Sequence, residues 1–271
     1  MGMAEKAEEY QDYLVTGSIV TFNSISTIEA ALRTVREQTK GVPFHLYVID
    51  NSSQDGTAAL VKRVDPQAQV LHIHWNVGFG AGHNLVIPRL QSKYHAIINP
   101  DIELREDAIA KMARYMDEHP EVVLLSPRIV FPGTQQDQIL GKRNPTLRYL
   151  AASRLRGSGS PGETLSQYAM LDQNRDEPFE IENATGCFMF IRTAALQKIG
   201  GFDERYFLYF EDCDITRKLA KEGKTLYFPG AVVDHVWHRE SKKSLRLMLV
   251  QIDSMVKYFW KWRKGYKNVR W

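Results

Sequence analysis

The sequence predicts an α/β fold in which helices flank a mostly parallel, doubly wound central sheet, followed by a helical tail. Three observations lead to this prediction. Short apolar runs rich in β-branched residues alternate with helical segments up to about residue 125. Clusters of polar turn residues follow these runs, as expected where strands end. From residue 241 onwards, one long amphipathic segment indicates a helix at the end of the chain.

The alternation of strands and helices fills the first part of the chain. Apolar runs predict strands at Leu14–Phe22, Phe44–Ile49, Val70–His74 and Ala96–Ile98. Helical spacing and helix-start residues predict helices at Thr27–Glu37, Thr57–Val64 and Leu85–Leu90. Units of this length pair their strands in parallel, so the carboxyl ends of the strands should meet at one edge of the sheet, where ligands bind in such folds.

The second part of the chain is less regular. Its predicted elements are a helix at Glu106–Glu118, strands at Val122–Leu125, Ile181–Ile191 and Thr225–Val233, and a helix at Cys213–Glu222. The segment Phe131–Glu177 is rich in Gly, Ser, Pro, Gln and Arg with little periodicity, so we expect a functional loop or lid there.

The composition of the chain limits the classes of protein to which it can belong. The chain has 271 residues, of which 44% are hydrophobic and 25% charged, the mix of a soluble globular protein. Two cysteines, Cys187 and Cys213, give no disulfide framework, so a reducing cytoplasm is expected. No apolar run reaches the length of a membrane span or the core of a signal peptide, and the polar start, Met1–Tyr13, is expected to be frayed.

The charge is unevenly distributed. Arg239–Trp271 holds ten lysine and arginine residues against two acids, a net charge of +8, which leaves −5 for the rest of a chain whose total is +3. A basic tail of this kind favours a membrane surface or an anionic partner.

The predicted helix of this tail, Ser241–Trp262, has an apolar stripe that should pack on the domain. The stripe consists of Leu245, Leu249, Ile252, Val256 and Phe259. Aromatic and basic residues alternate at Tyr258–Lys264, which predicts peripheral contact of the last dozen residues with membrane headgroups.

Acidic residues stand just past two of the predicted strands. Asp101 follows the strand ending at Ile98, on a backbone stiffened by Pro100, and suits a divalent cation that carries substrate phosphates. The alternative is a turn in which Asp101 is solvated or caps the next helix. Asp50 ends the second strand and could accept hydrogen bonds from a ribose or a base, or close an Asx-turn with Asn51.

The adjacent acids Glu211 and Asp212 follow an aromatic run, Tyr206–Phe210. Two carboxyl groups against an apolar wall can raise the pKa of one of them, which suits a general base. A helix N-cap at Asp212 is the alternative, and the two roles are compatible. His235 lies at the end of a strand, where it could act as a metal ligand or an acid–base group, or be an ordinary histidine at the rim.

Three glycines, Gly78, Gly80 and Gly82, follow the third strand. Their G-x-G-x-G spacing differs from the G-x-G-x-x-G dinucleotide fingerprint, and they occur in the third strand–helix unit instead of the first. A nicotinamide or flavin site is therefore not predicted. Close approach of the backbone to a nucleotide-sugar is the better use of these glycines.

Five motifs together resemble a known family. They are Ile19–Asn23 (IVTFN), Val48–Thr57 (VIDNSSQDGT), Asn76–Asn84 with its glycines, Asn99-Pro100-Asp101, and Phe210-Glu211-Asp212-x-Asp214. In this order, over roughly residues 14 to 240, they resemble family 2 glycosyltransferases of the GT-A fold, a Rossmann-like fold. Within the family, the resemblance is to the rhamnosyltransferase-like branch of bacterial polysaccharide assembly.

The resemblance implies roles for individual residues. Thr21, Asn23, Asp50 and Asn51 fall where the family holds the nucleoside, and Gly78 and Asn84 fall beside the ribose and sugar. Asp101 matches the last residue of the D-x-D metal motif, whose first acid is replaced by Asn99, and His235 matches a histidine that completes the metal site in some members. Asp212, beside Glu211, matches the catalytic base, and Gly186 lies in the segment Ala184–Phe188, where relatives contact donor sugar and acceptor.

The resemblance also implies an activity. We expect an inverting glycosyltransferase that uses a divalent cation, Mn²⁺ or Mg²⁺, and a nucleotide-diphosphate sugar, with L-rhamnose from dTDP-rhamnose as one candidate donor. The acceptor would be a growing cell-surface polysaccharide or a lipid-linked glycan. We expect a catalytic domain at residues 1–240, with a nucleotide-binding half at 14–125 and an acceptor half at 126–240, and a basic helix at 241–271. The enzyme would be cytoplasmic, with peripheral contact at the inner face of the plasma membrane.

Other functions remain open at this point. A UDP-hexose transferase of the same fold and a non-catalytic nucleotide-sugar-binding subunit would share these motifs. A nucleotidyltransferase would need a glycine-rich and basic triphosphate loop after the first strand, and Ser24–Thr27 is not such a loop. A nucleic-acid partner would account for the tail but not for the acids at the strand ends, so none is predicted.

Overall fold

The computed structural model describes residues 13–155, 160–236 and 244–266. Within them, nine strands form a single sheet in the order β3-β2-β1-β4-β8-β6-β9-β5, with β7 also paired to β9. The strands are β1 (Val15–Thr21), β2 (Phe44–Asp50), β3 (Gln69–His72), β4 (Tyr94–Ile98), β5 (Ile102–Leu104), β6 (Val122–Val130), β7 (Phe179–Glu180), β8 (Phe188–Arg192) and β9 (Lys224–His235).

The α-helices of the described residues flank this sheet, and one of them follows it at the C-terminal end. They are α1 (Ile28–Gln38), α2 (Thr57–Val64), α3 (Phe79–Asn84), α4 (Ala108–Glu118), α5 (Leu147–Arg154), α6 (Glu163–Tyr168), α7 (Thr193–Lys198), α8 (Glu211–Leu219) and α9 (Leu245–Trp262). The predicted α/β class is confirmed.

The first four strands form the parallel half of the sheet. Strand β1 pairs in parallel with β2 and β4, and β2 pairs in parallel with β3. The register places Thr21 opposite Asp50, and Asp50 opposite His72. The carboxyl ends of these strands therefore meet at one edge, as the order of elements predicted.

Strand β8 changes the direction of the sheet. It runs antiparallel to β4 and β6, while β6 and β9 are parallel to each other and β5 and β7 are antiparallel to β9. Because β8 is antiparallel to β4, the residues before Phe188 lie beside the end of β4, where Ile98 pairs with Phe188. Gly186 and Cys187 thus reach the same edge as Asn99.

Both faces of the sheet are covered, which explains why its central strands are buried and rich in apolar residues. All seven residues of β1 are buried. Helices α1 and α4 cover one face with buried side chains such as Leu32 and Met112. Helices α7 and α8 cover the other face with residues such as Leu196 and Leu219.

Three predicted elements differ from the structure. The helix predicted at Leu85–Leu90 is wrong: α3 ends before it, at Asn84, and within the predicted range only Ile87–Arg89 form a short 3₁₀ helix. The glycines of α3 let its backbone pack against Phe202 and Val20. The segment Phe131–Glu177 contains α5 and α6, each too short to show clear periodicity. The strand predicted at Ile181–Ile191 forms only in its last four residues, as part of β8, because β7 ends before it, at Glu180. The loop between β7 and β8 reaches the edge of the sheet.

The orientation predicted for the tail helix is wrong. Leu245, Leu249, Ile252 and Val256 are exposed, with 69%, 58%, 45% and 59% of their surface accessible. Of the predicted stripe, only Phe259 packs on the domain. The opposite side of α9 faces the domain, with Tyr258 and Ser254 fully buried. The predicted start of the helix at Ser241 and the last five residues of the tail lie outside the described residues, as does the polar start of the chain up to residue 12.

Candidate active site

Asp50 connects several polar groups at the edge where the parallel strands β1, β2 and β3 end. It is fully buried, and its Oδ1 accepts hydrogen bonds from Thr21 Oγ1 and Ser53 N, each at 3.3 Å. Its Oδ2 lies 2.6 Å from His72 Nδ1, at the end of β3. Both oxygens therefore have partners within the protein, which orients Asp50 rigidly. His72, whose side chain is half exposed, was not predicted, because its contact with Asp50 depends on the pairing of β2 with β3.

Asn51 and Asn23 shape the loops beside Asp50. The Asn51 amide donates to Asn76 Oδ1 at 2.8 Å and to Gly78 O at 3.1 Å, and its oxygen accepts from Val77 N at 2.9 Å. Asn23 has a left-handed backbone, with φ 51°, and its side-chain oxygen accepts from Gln54 N at 2.8 Å. These asparagines thus connect the loops after β1, β2 and β3 at the predicted nucleoside side.

Gly78 joins this edge to the aromatic segment before α8. Its φ is +95°, and a Cβ atom there would lie 2.3 Å from Phe207 O. The next residue, Phe79, donates its N–H to the same oxygen at 3.0 Å. A side chain at position 78 would separate these two segments, so glycine is required for a close approach as well as for the backbone angle.

Asn84, at the end of α3, holds a different loop. Its amide nitrogen donates to Phe202 O at 2.9 Å and to Glu204 Oε1 at 3.0 Å, while its oxygen accepts from Phe202 N at 2.9 Å. The side chain predicted to lie beside the donor sugar is thus bonded to the loop before the aromatic segment.

Asp101 and His235 meet just beyond the end of β4. Ile102 pairs with His235 between β5 and β9, and Asp101 Oδ2 lies 3.5 Å from His235 Nε2. Asp101 Oδ1 is buried and has no hydrogen-bond partner. The sequence therefore identified two residues that the fold brings together from positions 134 apart in the chain.

Gln138 orients the His235 ring. Its amide nitrogen donates to His235 O at 2.6 Å and to Val130 O at 3.3 Å, which leaves its oxygen to face His235 Nδ1 at 2.9 Å. Nδ1 therefore carries a proton, and Nε2 faces Asp101. Gln138 was not predicted, because it lies in the irregular segment after β6 and its role depends on contacts distant in sequence.

The surroundings of Asp101 and His235 favour a positive charge at His235 Nε2, the atom that faces Asp101 Oδ2. Burial lowers the pKa of His235, but the Cys187 sulfur and the Asp101 carboxylate outweigh burial and raise that pKa to about 10. A metal cation would meet the same electrostatic demand, and the unpartnered Asp101 Oδ1 offers it a ligand. Asp101 and His235 therefore fit a divalent cation. Among the described residues, no group of three or more His, Cys, Asp or Glu side chains could hold one, so further ligands would have to come from a bound substrate.

Glu211 and Asp212 open α8 within its first turn. The two preceding residues, Tyr209 and Phe210, have left-handed backbones with φ 71° and 66°, which turns the chain sharply into the helix. The N-cap position belongs to Phe210, so the alternative reading of Asp212 as the cap is not what the structure shows. Asp212 Oδ2 accepts from Gly186 N at 3.1 Å, and Oδ1 accepts from Cys213 N at 2.8 Å.

The two carboxyl groups differ in their environment. Burial and the nearby Asp212 charge raise the pKa of Glu211 well above its ordinary value, and Glu211 Oε2 has no partner. Burial also raises the pKa of Asp212, but the N–H groups of Gly186 and Cys213 oppose that rise by stabilising its charge. Of the two, Glu211 thus retains its proton to higher pH, and Asp212 is the one better suited to be the anion.

The loop before β8 connects the two acidic sites. Asn99 donates its backbone N–H to Cys187 O at 2.9 Å, and the neighbouring Gly186 donates to Asp212. The loop is also held by Thr216, whose Oγ1 accepts from Ala184 N at 3.2 Å and donates to Asp212 O at 2.7 Å. Asn99 and Asp212 therefore contact neighbouring residues of one short loop, next to the end of β4.

Helix α9 supports α8 from outside. Asp214, fully buried in the first turn of α8, accepts from Lys261 Nζ at 2.8 Å and from Trp262 Nε1 at 2.8 Å. Lys261 also bonds Asp203 Oδ2 at 2.7 Å, in the loop before the aromatic segment. The basic and aromatic end of the tail, predicted for headgroups, thus contributes two side chains to the wall behind Asp212.

Comparison with solved structures identifies the fold. The chain matches a mannosyltransferase from Pyrobaculum calidifontis, solved with GDP-Man and Mn²⁺, at a TM-score of 0.63 and 17% identity, covering 94% of this chain and 65% of the other. It matches GalNAc-T7, solved with UDP, GalNAc and Mn²⁺, at 0.62 and 15% identity, covering 97% and 52%. At these identities the matches show the fold, which is that of GT-A glycosyltransferases.

Comparison of the sequence defines the family. The family model for glycosyl transferase family 2 matches residues 18–200, and this chain belongs to that family. A curated relative, the N-acetylglucosaminyl-diphospho-decaprenol L-rhamnosyltransferase of Mycobacterium tuberculosis, is 27% identical over 223 residues. The match covers 71% of this chain and 66% of that protein, so the chain spans about two thirds of the length of its relative. The resemblance to rhamnosyltransferase-like members is confirmed.

Proposed function

We propose that this chain is an inverting glycosyltransferase that transfers a sugar from a nucleotide-diphosphate donor to a hydroxyl group of a growing surface polysaccharide or a lipid-linked glycan. The observation that carries the proposal is the position of the Asp212 carboxylate. This carboxylate accepts a hydrogen bond from the N–H of Gly186, and the next residue, Cys187, accepts one from the N–H of Asn99. The proposed base and the segment with the candidate cation ligand Asp101 therefore contact the same short loop.

Asp212 is the proposed base. Its carboxylate would accept the proton of the acceptor hydroxyl as that oxygen bonds to the anomeric carbon, while the bond from this carbon to the diphosphate oxygen breaks and its electron pair leaves with the diphosphate. Attack from the face opposite the leaving group inverts the configuration in a single displacement, so no second carboxylate is needed as a nucleophile. Protonated Glu211 keeps a second negative charge out of the site, which the raised pKa of Glu211 supports.

Asp101 and His235 are the residues that would hold a divalent cation, Mn²⁺ or Mg²⁺. When bound, the cation supplies positive charge that stabilises the leaving diphosphate. The unpartnered Asp101 Oδ1 and the orientation of His235 by Gln138 support this assignment. Because the described residues provide only this pair at the site, the remaining ligands would come from the diphosphate, and we expect weak cation binding without donor.

The parallel edge is the proposed nucleoside side. Asp50, Thr21, Asn23 and Asn51 lie around the ends of β1 and β2, and the solved GT-A neighbours contain GDP-Man or UDP. The similarity to the mycobacterial rhamnosyltransferase supports L-rhamnose from dTDP-rhamnose as the donor. A UDP-hexose is the alternative donor, and a direct screen would distinguish the two.

The test is a donor panel followed by a binding measurement. Purified protein would be incubated with Mn²⁺ and dTDP-rhamnose, UDP-glucose or UDP-galactose, and slow hydrolysis of the donor would be measured. We expect hydrolysis of dTDP-rhamnose above the other two. Hydrolysis of a UDP-hexose alone would overturn the rhamnose assignment, and no hydrolysis together with tight binding would indicate a non-catalytic binding subunit.

Calorimetry of Asp101→Ala would test the cation site. With Mn²⁺ present, the affinity for dTDP should fall in this variant, whereas without Mn²⁺ the variant and the wild type should bind with similar affinity. An unchanged affinity in Mn²⁺ would contradict the assignment of Asp101. Glu118→Gln, an exposed position on α4, is the control for loss of one negative charge elsewhere.

A further inference from the structure

Helix α9 carries a continuous apolar surface that faces away from the domain. Its members, called here the α9 stripe, are Leu245, Leu249, Ile252, Val256 and Trp260. Trp260 is 69% exposed, and the other four are between 45% and 69% exposed. Their spacing of three or four residues places them along one side of a helix about 27 Å long. Five large apolar side chains aligned in this way are more than scattered surface residues.

The inward side of α9 is fixed by specific bonds, so the α9 stripe cannot turn inward. Ser254 Oγ donates to Leu208 O at 2.8 Å, and Lys257 Nζ donates to Arg205 O at 2.9 Å. Tyr258 is fully buried against Phe210, and Lys261 and Trp262 bind Asp214. Rotating the helix would break all of these contacts, including those to a buried carboxylate.

Cations border the α9 stripe. Arg246 is exposed at its start, and Arg263 and Lys264 are exposed at its end, where the Arg263 guanidinium lies 4.5 Å from the centre of the Trp260 ring. The one acid of α9, Asp253, is bonded to Lys257. At the start of α9, Arg154 of α5 lies 3.5 Å from Met248 Sδ, which brings another exposed arginine to the same end of the helix.

This pattern favours one occupant. A second copy of the chain would bring the same cations against the first set, which repel, whereas anionic lipid headgroups complement them. An apolar stripe bordered by arginine and lysine, with tryptophan at one end, is typical of helices that lie in the plane of a bilayer surface. None of the described helices combines the length and apolar content needed to cross a membrane.

We propose that the α9 stripe docks on the surface of an anionic lipid bilayer, with the helix axis parallel to the membrane. The stripe would enter the boundary between headgroups and acyl chains, and Arg246, Arg263 and Lys264 would bind the phosphates. Because α9 also holds Asp214 in the first turn of α8, docking would place the base-side wall of the candidate active site next to the membrane. The docking surface needs neither donor nor acceptor, so its failure would not affect the proposed chemistry.

Vesicle sedimentation of the full chain tests the proposal. Vesicles of phosphatidylcholine alone and of phosphatidylcholine with phosphatidylglycerol would be compared at low and high salt. We expect binding to the anionic vesicles that weakens as salt rises, and a decrease on the order of tenfold or more in Leu249→Gln/Val256→Gln. Leu85→Gln, another exposed leucine that lies outside α9, is the matched control and should bind like the wild type.

Tryptophan fluorescence gives a direct readout of the docked side. Anionic vesicles should shift the emission of the wild type to shorter wavelength, and the shift should be lost in Trp260→Phe, because Trp260 would move from water into the bilayer boundary. Thermal unfolding of each variant would show that it is folded, since the replaced side chains are exposed. Absence of vesicle binding by the wild type, or equal binding by the double variant, would overturn the proposal. So would a dimer, detected by light scattering, that is lost in Leu249→Gln/Val256→Gln.

Discussion

The two sides of the candidate active site satisfy their polar groups to different degrees. On the proposed nucleoside side, both oxygens of Asp50 and both side-chain polar atoms of Asn51 have protein partners. On the side of the proposed chemistry, Asp101 Oδ1 and Glu211 Oε2 are buried without partners. The pKa values of His235 and Glu211 are raised there as well.

This difference indicates that one side of the site is rigid before a ligand binds, whereas the other side has buried polar groups that a ligand would complete. Polar groups that are fully hydrogen-bonded within the protein hold their positions before any ligand binds, so the proposed nucleoside side would be a preformed, rigid surface. Buried groups without partners are unfavourable for folding and are found where a ligand, a cation or a proton completes them. Substitutions on the proposed nucleoside side should therefore mainly change stability. Substitutions on the side of the proposed chemistry should change turnover or the pH dependence of stability.

The largest effect should come from Asp212→Asn. The amide cannot accept the proton of the acceptor hydroxyl, so we expect turnover to fall by about 10²–10⁴-fold while the affinity for the donor is retained. Steady-state transfer rates and calorimetric donor binding would measure the two quantities. Glu118→Gln should keep its rate, and near-normal turnover of Asp212→Asn would contradict the assignment of the base.

The junction between the two sides can be broken at Gly78. In Gly78→Ala, the new Cβ would lie 2.3 Å from Phe207 O on a backbone with φ +95°, so we expect the free energy of unfolding to fall by about 3 kcal/mol or more. Gly133→Ala is the matched control, because Gly133 also has a positive φ, +69°, but no atom within 4 Å of the added Cβ. Chemical denaturation would measure both. Equal losses would show that the contact with Phe207 is unimportant.

Glu211→Gln should change how stability depends on pH. Below the ordinary pKa of 4.5, Glu211 is protonated in both the folded and the unfolded chain. As the pH rises above that value, the unfolded chain releases the proton while the folded protein retains it, so the wild type loses stability and the variant does not. We expect the advantage of the variant to grow by up to about 1.4 kcal/mol per pH unit until the raised pKa is reached. Denaturation at a series of pH values would test this, and a constant difference would contradict it.

The smallest effect is expected at Thr21→Val. This change removes the hydrogen bond from Thr21 Oγ1 to Asp50 Oδ1 while keeping the shape of the side chain, so the free energy of unfolding should fall by about 1 kcal/mol. Denaturation and donor binding would be measured together. If the free energy of donor binding falls much more than the free energy of unfolding, Thr21 contacts the nucleotide directly and does not only support Asp50.

Much of this architecture could be predicted because it depends on local sequence. The runs that became β1, β2 and β4 are rich in apolar residues, as expected of strands that are covered on both faces of a sheet. The common location of the polar residues that follow these strands could also be predicted, because the carboxyl ends of parallel strands meet at one edge of the sheet. Helix α2 was predicted with the bounds that the structure shows.

The irregular second half could not be predicted to the same extent. Helices α5 and α6 span only eight and six residues, so both are shorter than the window of about 11 residues in which a helical hydrophobic pattern can be recognised. Gln138 and Thr216 owe their roles to partners far away in the chain, and a single sequence contains no trace of those contacts. Comparison with relatives showed the family, whereas the hydrogen bonds at the site came from the structure.

The sequence by itself determined the class of fold, the acids at the strand ends and the amphipathic character of the tail, because each depends on residue type and spacing over a few turns. Only the tertiary structure decided which side of α9 is buried. An apolar stripe and an aromatic, basic side can both pack on a domain, and periodicity does not distinguish them. The domain offered the carboxylates of Asp203 and Asp214 and an aromatic cluster, so the side with Tyr258, Lys261 and Trp262 was buried and the α9 stripe was left facing outward.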